Sequence, residues 1–137
     1  MSEHTTHEEL EERLPVGTVI DSRYEVTGYM GRGGFAGVYR AMHVHLEREI
    51  ALKLLDLPHS PSASKLFRER FLQEAKIAAK IKHPGVVDVF DFGFFDRTQQ
   101  PYIAMELLVG HDLEKELITN GAIPPARALE LFDNCLE

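Results

Sequence analysis

Cysteine is almost absent from this chain, and Cys135 alone cannot form an internal disulfide, which fits a reducing compartment. Long apolar runs are missing as well. No stretch approaches the roughly 18–20 consecutive apolar residues that a membrane span needs, and the N-terminus lacks the basic patch and apolar run of a signal peptide. These absences predict a soluble, cytoplasmic polypeptide. There is also no basic excess. Of the 22 acidic residues, five (Glu3, Glu8, Glu9, Glu11, Glu12) fall within residues 1–12, where no Lys or Arg occurs, leaving 17 acids against 15 bases elsewhere. Neither the acidic end nor the nearly neutral body resembles a nucleic-acid binder.

What is present is a globular composition: 137 residues, 44% hydrophobic and 27% charged, enough for one domain with its own core. Residues 1–14 are polar and aperiodic and read as a disordered acidic tail. His4 and His7 lie in that tail, but a stable metal site needs three or four ligands, so no metal is expected there.

From Tyr24 apolar and polar residues alternate, predicting a strand over Tyr24–Met30, a glycine turn, and a second strand over Phe35–Ala41. Glu49–Leu55 reads as a third strand, apolar apart from Glu49 and Lys53. Pro58 and Pro61 with Ser60, Ser62 and Ser64 mark a loop. Phe67, Phe71, Glu74, Ala75, Ala78 and Ile81 recur at helical spacing, and His83-Pro84-Gly85 stops that helix. Two strands follow, Val86–Phe92 and Tyr102–Leu108. A short helix over Asp112–Asn120 ends at Gly121, and Pro124-Pro125 opens a last helix with Leu129, Phe132 and Leu136 on one side. The order predicts an antiparallel α+β domain with a five-stranded sheet.

Glycines 31, 33 and 34 remove side chains where the backbone turns sharply, and the N–H groups of such a turn can point at phosphate oxygens. A plain β-turn would account for the glycines alone. Lys53, the one basic residue of an apolar strand, adds to them, because a lysine there needs an anion. Glu74 is the candidate partner, as a structural ion pair or as a device that holds the ammonium on a nucleotide.

Gly31-x-Gly33-x-x-Ala36-x-Val38, Ile50-Ala51-Leu52-Lys53, Glu74 and His83-Pro84, in that order, strongly resemble the N-terminal lobe of eukaryotic-like protein kinases, especially the bacterial serine/threonine kinases. The resemblance covers residues 15–137. It implies a kinase N-lobe and hinge over residues 15–110 and the first helices of an incomplete C-lobe over residues 111–137. It also implies ATP as the nucleotide and, in the complete enzyme, Mg²⁺ and protein substrates. Gly31, Arg32, Gly33, Gly34, Phe35, Ala36 and Val38 would form the loop over the phosphates. Lys53, paired with Glu74, would contact the α- and β-phosphates, and Val38 and Ala51 would cover the adenine. Met105 would be the gatekeeper, the backbones of Glu106 and Leu108 would meet the purine edge, and Asp112 would sit near the ribose. Asp112 reads equally well as a helix N-cap. In the loop, Ala36 stands where the family pattern has its third glycine, and a glycine follows at 37.

Asp91-Phe92-Gly93 spells the kinase metal-binding triplet but precedes the hinge, so it is read as ordinary strand, with Asp91 facing solvent or the strand end. After Asp112 there is no His-Arg-Asp and no second Asp-Phe-Gly, so no catalytic residue is expected in this chain. The end inside an amphipathic helix reads as a truncation. A non-catalytic interaction module is the alternative. A dinucleotide-binding βαβ unit ranks last, since a strand rather than a helix follows the glycines.

Overall fold

The structure is a computed structural model that describes residues 13–136. Most of the expected tail therefore lies outside the described residues. Of its last two residues, Arg13 lies over the Tyr29 ring at 3.9 Å, and the Leu14 N–H donates to the Tyr39 hydroxyl at 3.2 Å.

A single antiparallel sheet of six strands runs β1 (Val19–Ile20), β2 (Tyr24–Arg32), β3 (Ala36–His43), β4 (Arg48–Leu55), β5 (Val89–Phe94) and β6 (Pro101–Met105). In space the order is β1-β2-β3-β4-β6-β5. The five-stranded expectation missed β1, whose two residues are too short to show alternation. β6 stops at Met105 rather than Leu108, where pairing with β4 and β5 ends, and β5 begins at Val89 rather than Val86.

Among the described residues three helices follow the same scheme. Helix α1 (Pro61–Ala78) starts earlier than its apolar periodicity indicates. Ser60 caps it by accepting from the Ala63 N–H, and Pro61 occupies the first helical position, where its missing N–H costs nothing. Residues 61–66, read as loop, are therefore its first turns, and it ends three residues before Ile81. Helix α2 (Leu113–Asn120) is capped by Asp112, whose Oδ1 accepts from the Lys115 N–H at 2.8 Å. Helix α3 (Pro125–Leu136) leaves Leu129 and Phe132 exposed. Its Asn134 carbonyl passes so close to Gly85 that a Cβ there would lie 2.7 Å from it.

The sheet has two unlike faces. On the packed face, Ile20, Tyr24, Val26, Tyr39, Ala41, Ile50, Leu52, Leu54, Tyr102 and Ala104 form the core with Phe95. Each fully buried Leu or Ile contributes on the order of 1.5–3 kcal/mol. The other face receives α1, which sets Phe71 against Phe92 and Phe94 with ring centroids 6.5 and 6.0 Å apart.

The sheet curls so that its two ends meet through a polar cluster. Tyr24 on β2 donates to Asp91 on β5 at 2.6 Å, and Arg23 pairs with Asp91 at 2.7 Å and with Asp21 at 3.1 Å. Tyr102 donates to Asp21 at 2.5 Å and accepts from Arg23 at 3.0 Å. Asp91 is thus held in an ion pair instead of facing solvent, because the register shift between Val89 and Asp91 turns it toward the closing edge. Gly93 belongs to the same closure: a Cβ there would lie 2.9 Å from the Tyr102 hydroxyl. The look-alike triplet is accounted for by sheet closure.

Burial and then the hydrogen bonds to Asp91 and Asp21 raise the Tyr24 and Tyr102 hydroxyls well above the ordinary tyrosine range. Groups whose folded pKa is raised stabilise the fold below their unfolded value, near pH 10 for tyrosine. Above it, the unfolded chain loses its protons first and stability falls. Urea midpoints should drop between pH 9 and pH 10.5, and by less in Tyr102→Phe. Gly93→Ala should cost about 1–3 kcal/mol in the native background and less beside Tyr102→Phe. Additive losses in that double-mutant cycle would disprove the close approach.

Candidate functional site

The register of β3, β4 and β6 assembles the expected residues on the face opposite the core, which α1 covers at its β5 edge and which is open at Val38, Lys53 and Met105. Val38, Lys53 and Ile103 form one cross-strand row; Ala51 and Met105 lie in the next. Directly paired residues of antiparallel strands share a face, as do residues two apart. Lys53 therefore stands on the same face as Ala51, Val38 and Met105, and its neighbours Leu52 and Leu54 enter the core. Ala51 is 5% exposed and Lys53 is half-buried. The result is a small apolar floor with the Lys53 ammonium at its side and the exposed Arg40, paired with Ala51, in the adjoining row. Ile103 completes the lysine row and was not singled out in the sequence, although the alternation Tyr102-Ile103-Ala104-Met105 carries it.

The glycine hairpin forms the rim. β2 and β3 pair through Gly31–Val38 and Arg32–Gly37, and the Gly33 N–H donates to the Ala36 carbonyl at 2.9 Å, closing the turn. A Cβ added at Gly31, Gly33 or Gly34 would meet no atom within 4 Å. The chain's own packing therefore does not require glycine at 33 or 34, whereas Gly31 has φ +157°, a backbone conformation that side chains rarely adopt. Space remains there for a group brought from outside, and a phosphate fits the residues present. Phe35 at the tip is 83% exposed, whereas Ala36 is buried in the first pair of β3 with Leu55. The alanine is thus part of the strand, beyond the turn.

Glu74 does not join this group. Helix α1 buries Ser64, Phe71 and Ala75, and Glu74, one position before Ala75, is exposed on the border of that stripe. No ion pair links it to Lys53 in this structure. The spacing of the apolar residues left the helix free to rotate by about a residue, and the aromatic contacts of Phe71 decide that rotation.

Beyond Met105 the chain leaves the sheet. The Glu106 N–H donates to the Asp88 carbonyl at 2.9 Å, which ties the connection to the residues before β5. Leu108 and Val109 are exposed. A hollow of about 430 Å³ beneath the connection is lined by Val109, Gly110, Asp112 and Leu113 among others. Asp112 both caps α2 and lines that hollow. A second cleft, about 560 Å³, lies on the packed-face side of the glycine hairpin, beside Arg32, Gly37, Tyr39 and Asp56. Arg32 turns toward that side, where it forms an ion pair with Asp56, a residue the sequence reading passed over.

With this geometry in hand, comparison with known proteins is informative. Residues 24–137 match the protein kinase domain family. A probable serine/threonine-protein kinase of Streptomyces coelicolor is 40% identical over 122 residues, covering 86% of this chain and 18% of that protein. The serine/threonine-protein kinase PrkC of Bacillus subtilis is 34% identical over 118 residues, again 86% of this chain and 18% of the relative. The crystal structure of the Mycobacterium tuberculosis PknI kinase domain superposes with a TM-score of 0.74 at 29% identity, covering 89% of this chain and 47% of that one. The chain thus spans under a fifth of these curated relatives and about half of a solved kinase domain. In sequence and in fold, with a kinase-like curled sheet and three helices, the chain belongs to the protein kinase domain family.

Proposed function

We propose that this chain is the ATP-binding portion of a serine/threonine protein kinase, which in its complete form transfers the γ-phosphate of ATP to protein substrates. The observation that carries this reading is the cross-strand row Val38–Lys53–Ile103, with Ala51–Met105 beside it, under a hairpin whose three glycines face open space. Small and flexible apolar side chains leave room for a flat base. The backbone of residues 106–108 follows directly from Met105 and offers donors and acceptors at its edge. Lys53 then neutralises phosphate charge, and the hairpin N–H groups direct hydrogen bonds at the phosphate oxygens.

Glu74 enters this scheme when α1 rotates to bring it toward β4. In its present orientation Phe71 and Ala75 hold the helix, and Lys53 is the positive group left to meet the nucleotide. Mg²⁺ would supply neutralisation of phosphate charge in the complete enzyme, and no residue of this chain is assigned to hold it. The transfer step depends on an aspartate that takes the hydroxyl proton and on metal ligands. Residues 113–137 contain no His-Arg-Asp and no Asp-Phe-Gly, so the role assigned to this chain is binding.

Lys53→Met should weaken ATP binding roughly tenfold to a hundredfold, the range for losing a charged hydrogen bond, with the fold unchanged by circular dichroism. Isothermal titration of the 137-residue chain checks this, and equal affinity in both chains would reduce Lys53 to a structural residue. Incubated with Mg²⁺ and radiolabelled ATP, the same chain should leave protein substrates unlabelled. Metal-dependent labelling by the purified chain would overturn the assignment of binding without transfer.

A further inference from the structure

The ion pair between Arg32 and Asp56 has no part in the scheme above. Arg32 ends β2 and Asp56 follows β4, with β3 between them in the sheet, so the guanidinium reaches Asp56 by crossing over β3. It crosses at Gly37, whose partners are Arg32 on one side and Leu54 on the other. A Cβ at Gly37 would stand 3.4 Å from Arg32 Nη1 and 3.3 Å from Tyr39 Cε2. The guanidinium therefore lies over the backbone at 37, within van der Waals reach of where a Cβ would stand. Asp56 also holds the other limb of the loop, because its backbone N–H donates to the Phe35 carbonyl at 2.8 Å. One residue, three positions after Lys53, therefore grips both limbs of the glycine turn: the carboxylate through Arg32 and the N–H through Phe35.

We propose that Asp56 is a positioning residue that latches the glycine hairpin to the lysine-bearing strand and sets the height of the loop above the phosphates. The displaced glycine at 37 is a component of this latch, since it is the crossing point of Arg32. The inference rests on the nucleotide-binding reading for its effect on affinity, though not for the latch itself. The side chains of Arg32 and Asp56 are 42% and 36% exposed, so added salt weakens the latch.

The test uses the 137-residue chain in three forms: native, Asp56→Asn, and the reversed pair Arg32→Asp with Asp56→Arg. Hydrogen–deuterium exchange reads the amides of Gly33, Gly34 and Phe35, with β6 amides as the internal reference, and titration with ATP reads affinity. Asp56→Asn keeps the backbone N–H and removes the charge. It should speed exchange of the loop amides at least twofold, leave β6 exchange unchanged, and raise the ATP dissociation constant roughly twofold to fivefold, the range of an exposed ion pair. The reversed pair should restore the native exchange of the loop amides. Unchanged loop exchange in Asp56→Asn overturns the latch, as does faster exchange that extends equally to β6. Absence of ATP binding by the native chain would count against the nucleotide reading, and loop exchange would still decide the latch.

Discussion

Strand β4 faces two ways, and the site depends on that division. Leu52 and Leu54 enter the core while Ala51 and Lys53 stand on the open face. A slip of one residue against β3 or β6 would exchange these sets, driving an ammonium into the core and leucines into water. The penalty for that exchange comes mainly from the packed face, where Leu52, Tyr102 and Ala104 have no measurable exposure. The register that aligns Val38, Lys53 and Ile103 is therefore set by residues pointing away from them. The open face remains free to carry a charge and small side chains that would build a poor core.

Closure of the sheet gives that register its rigidity. The cluster of Asp21, Arg23, Tyr24, Asp91 and Tyr102 joins the β1–β2 end to the β5–β6 end. Two carboxylates share one guanidinium and two hydroxyls, so each charge has several partners. Such networks stabilise when complete and destabilise when one member is removed. The cost of building them here is limited, since Arg23 keeps part of its surface in solvent. The same closure explains why a triplet that elsewhere holds a metal is neutralised in this strand: its aspartate is occupied and its glycine is crowded.

Legibility in the sequence followed the range of the interactions. The glycine turn, the lysine strand and both later helices are written in local patterns, and they stand where those patterns put them. The orientation of Glu74 is not local. Periodicity defines a stripe about 100° wide, and the edge-to-face packing of Phe71 with Phe92 and Phe94 selects which edge of it is buried. Asp91 was misjudged for a related reason, since alternation predicts its face only if no bulge intervenes. Asp56 was passed over because its partner lies across a third strand, and no spacing rule connects residues 32 and 56.

The glycines separate into two kinds by what surrounds them. At Gly37, Gly85 and Gly93 an added Cβ would press on a tyrosine ring, a helix carbonyl and a tyrosine hydroxyl respectively. Gly85 and Gly93 are demanded by the fold, and each would be needed in a protein that bound nothing; Gly37 is only tightly placed, 3.3 Å from the Tyr39 ring. At Gly31, Gly33 and Gly34 the same Cβ would meet empty space. Backbone conformation accounts for part of this, since Gly31 has φ +157° and the Gly33–Ala36 hydrogen bond closes a tight reversal, but neither requires glycine at both 33 and 34. Replacing the third motif glycine by Ala36 is consistent with this division, because position 36 has left the turn and sits paired in β3, where a methyl group is buried without conflict. The hairpin thus leaves positions 33 and 34 without side chains while Phe35 is exposed at its tip, and its remaining glycine lies beneath the arginine that ties it down.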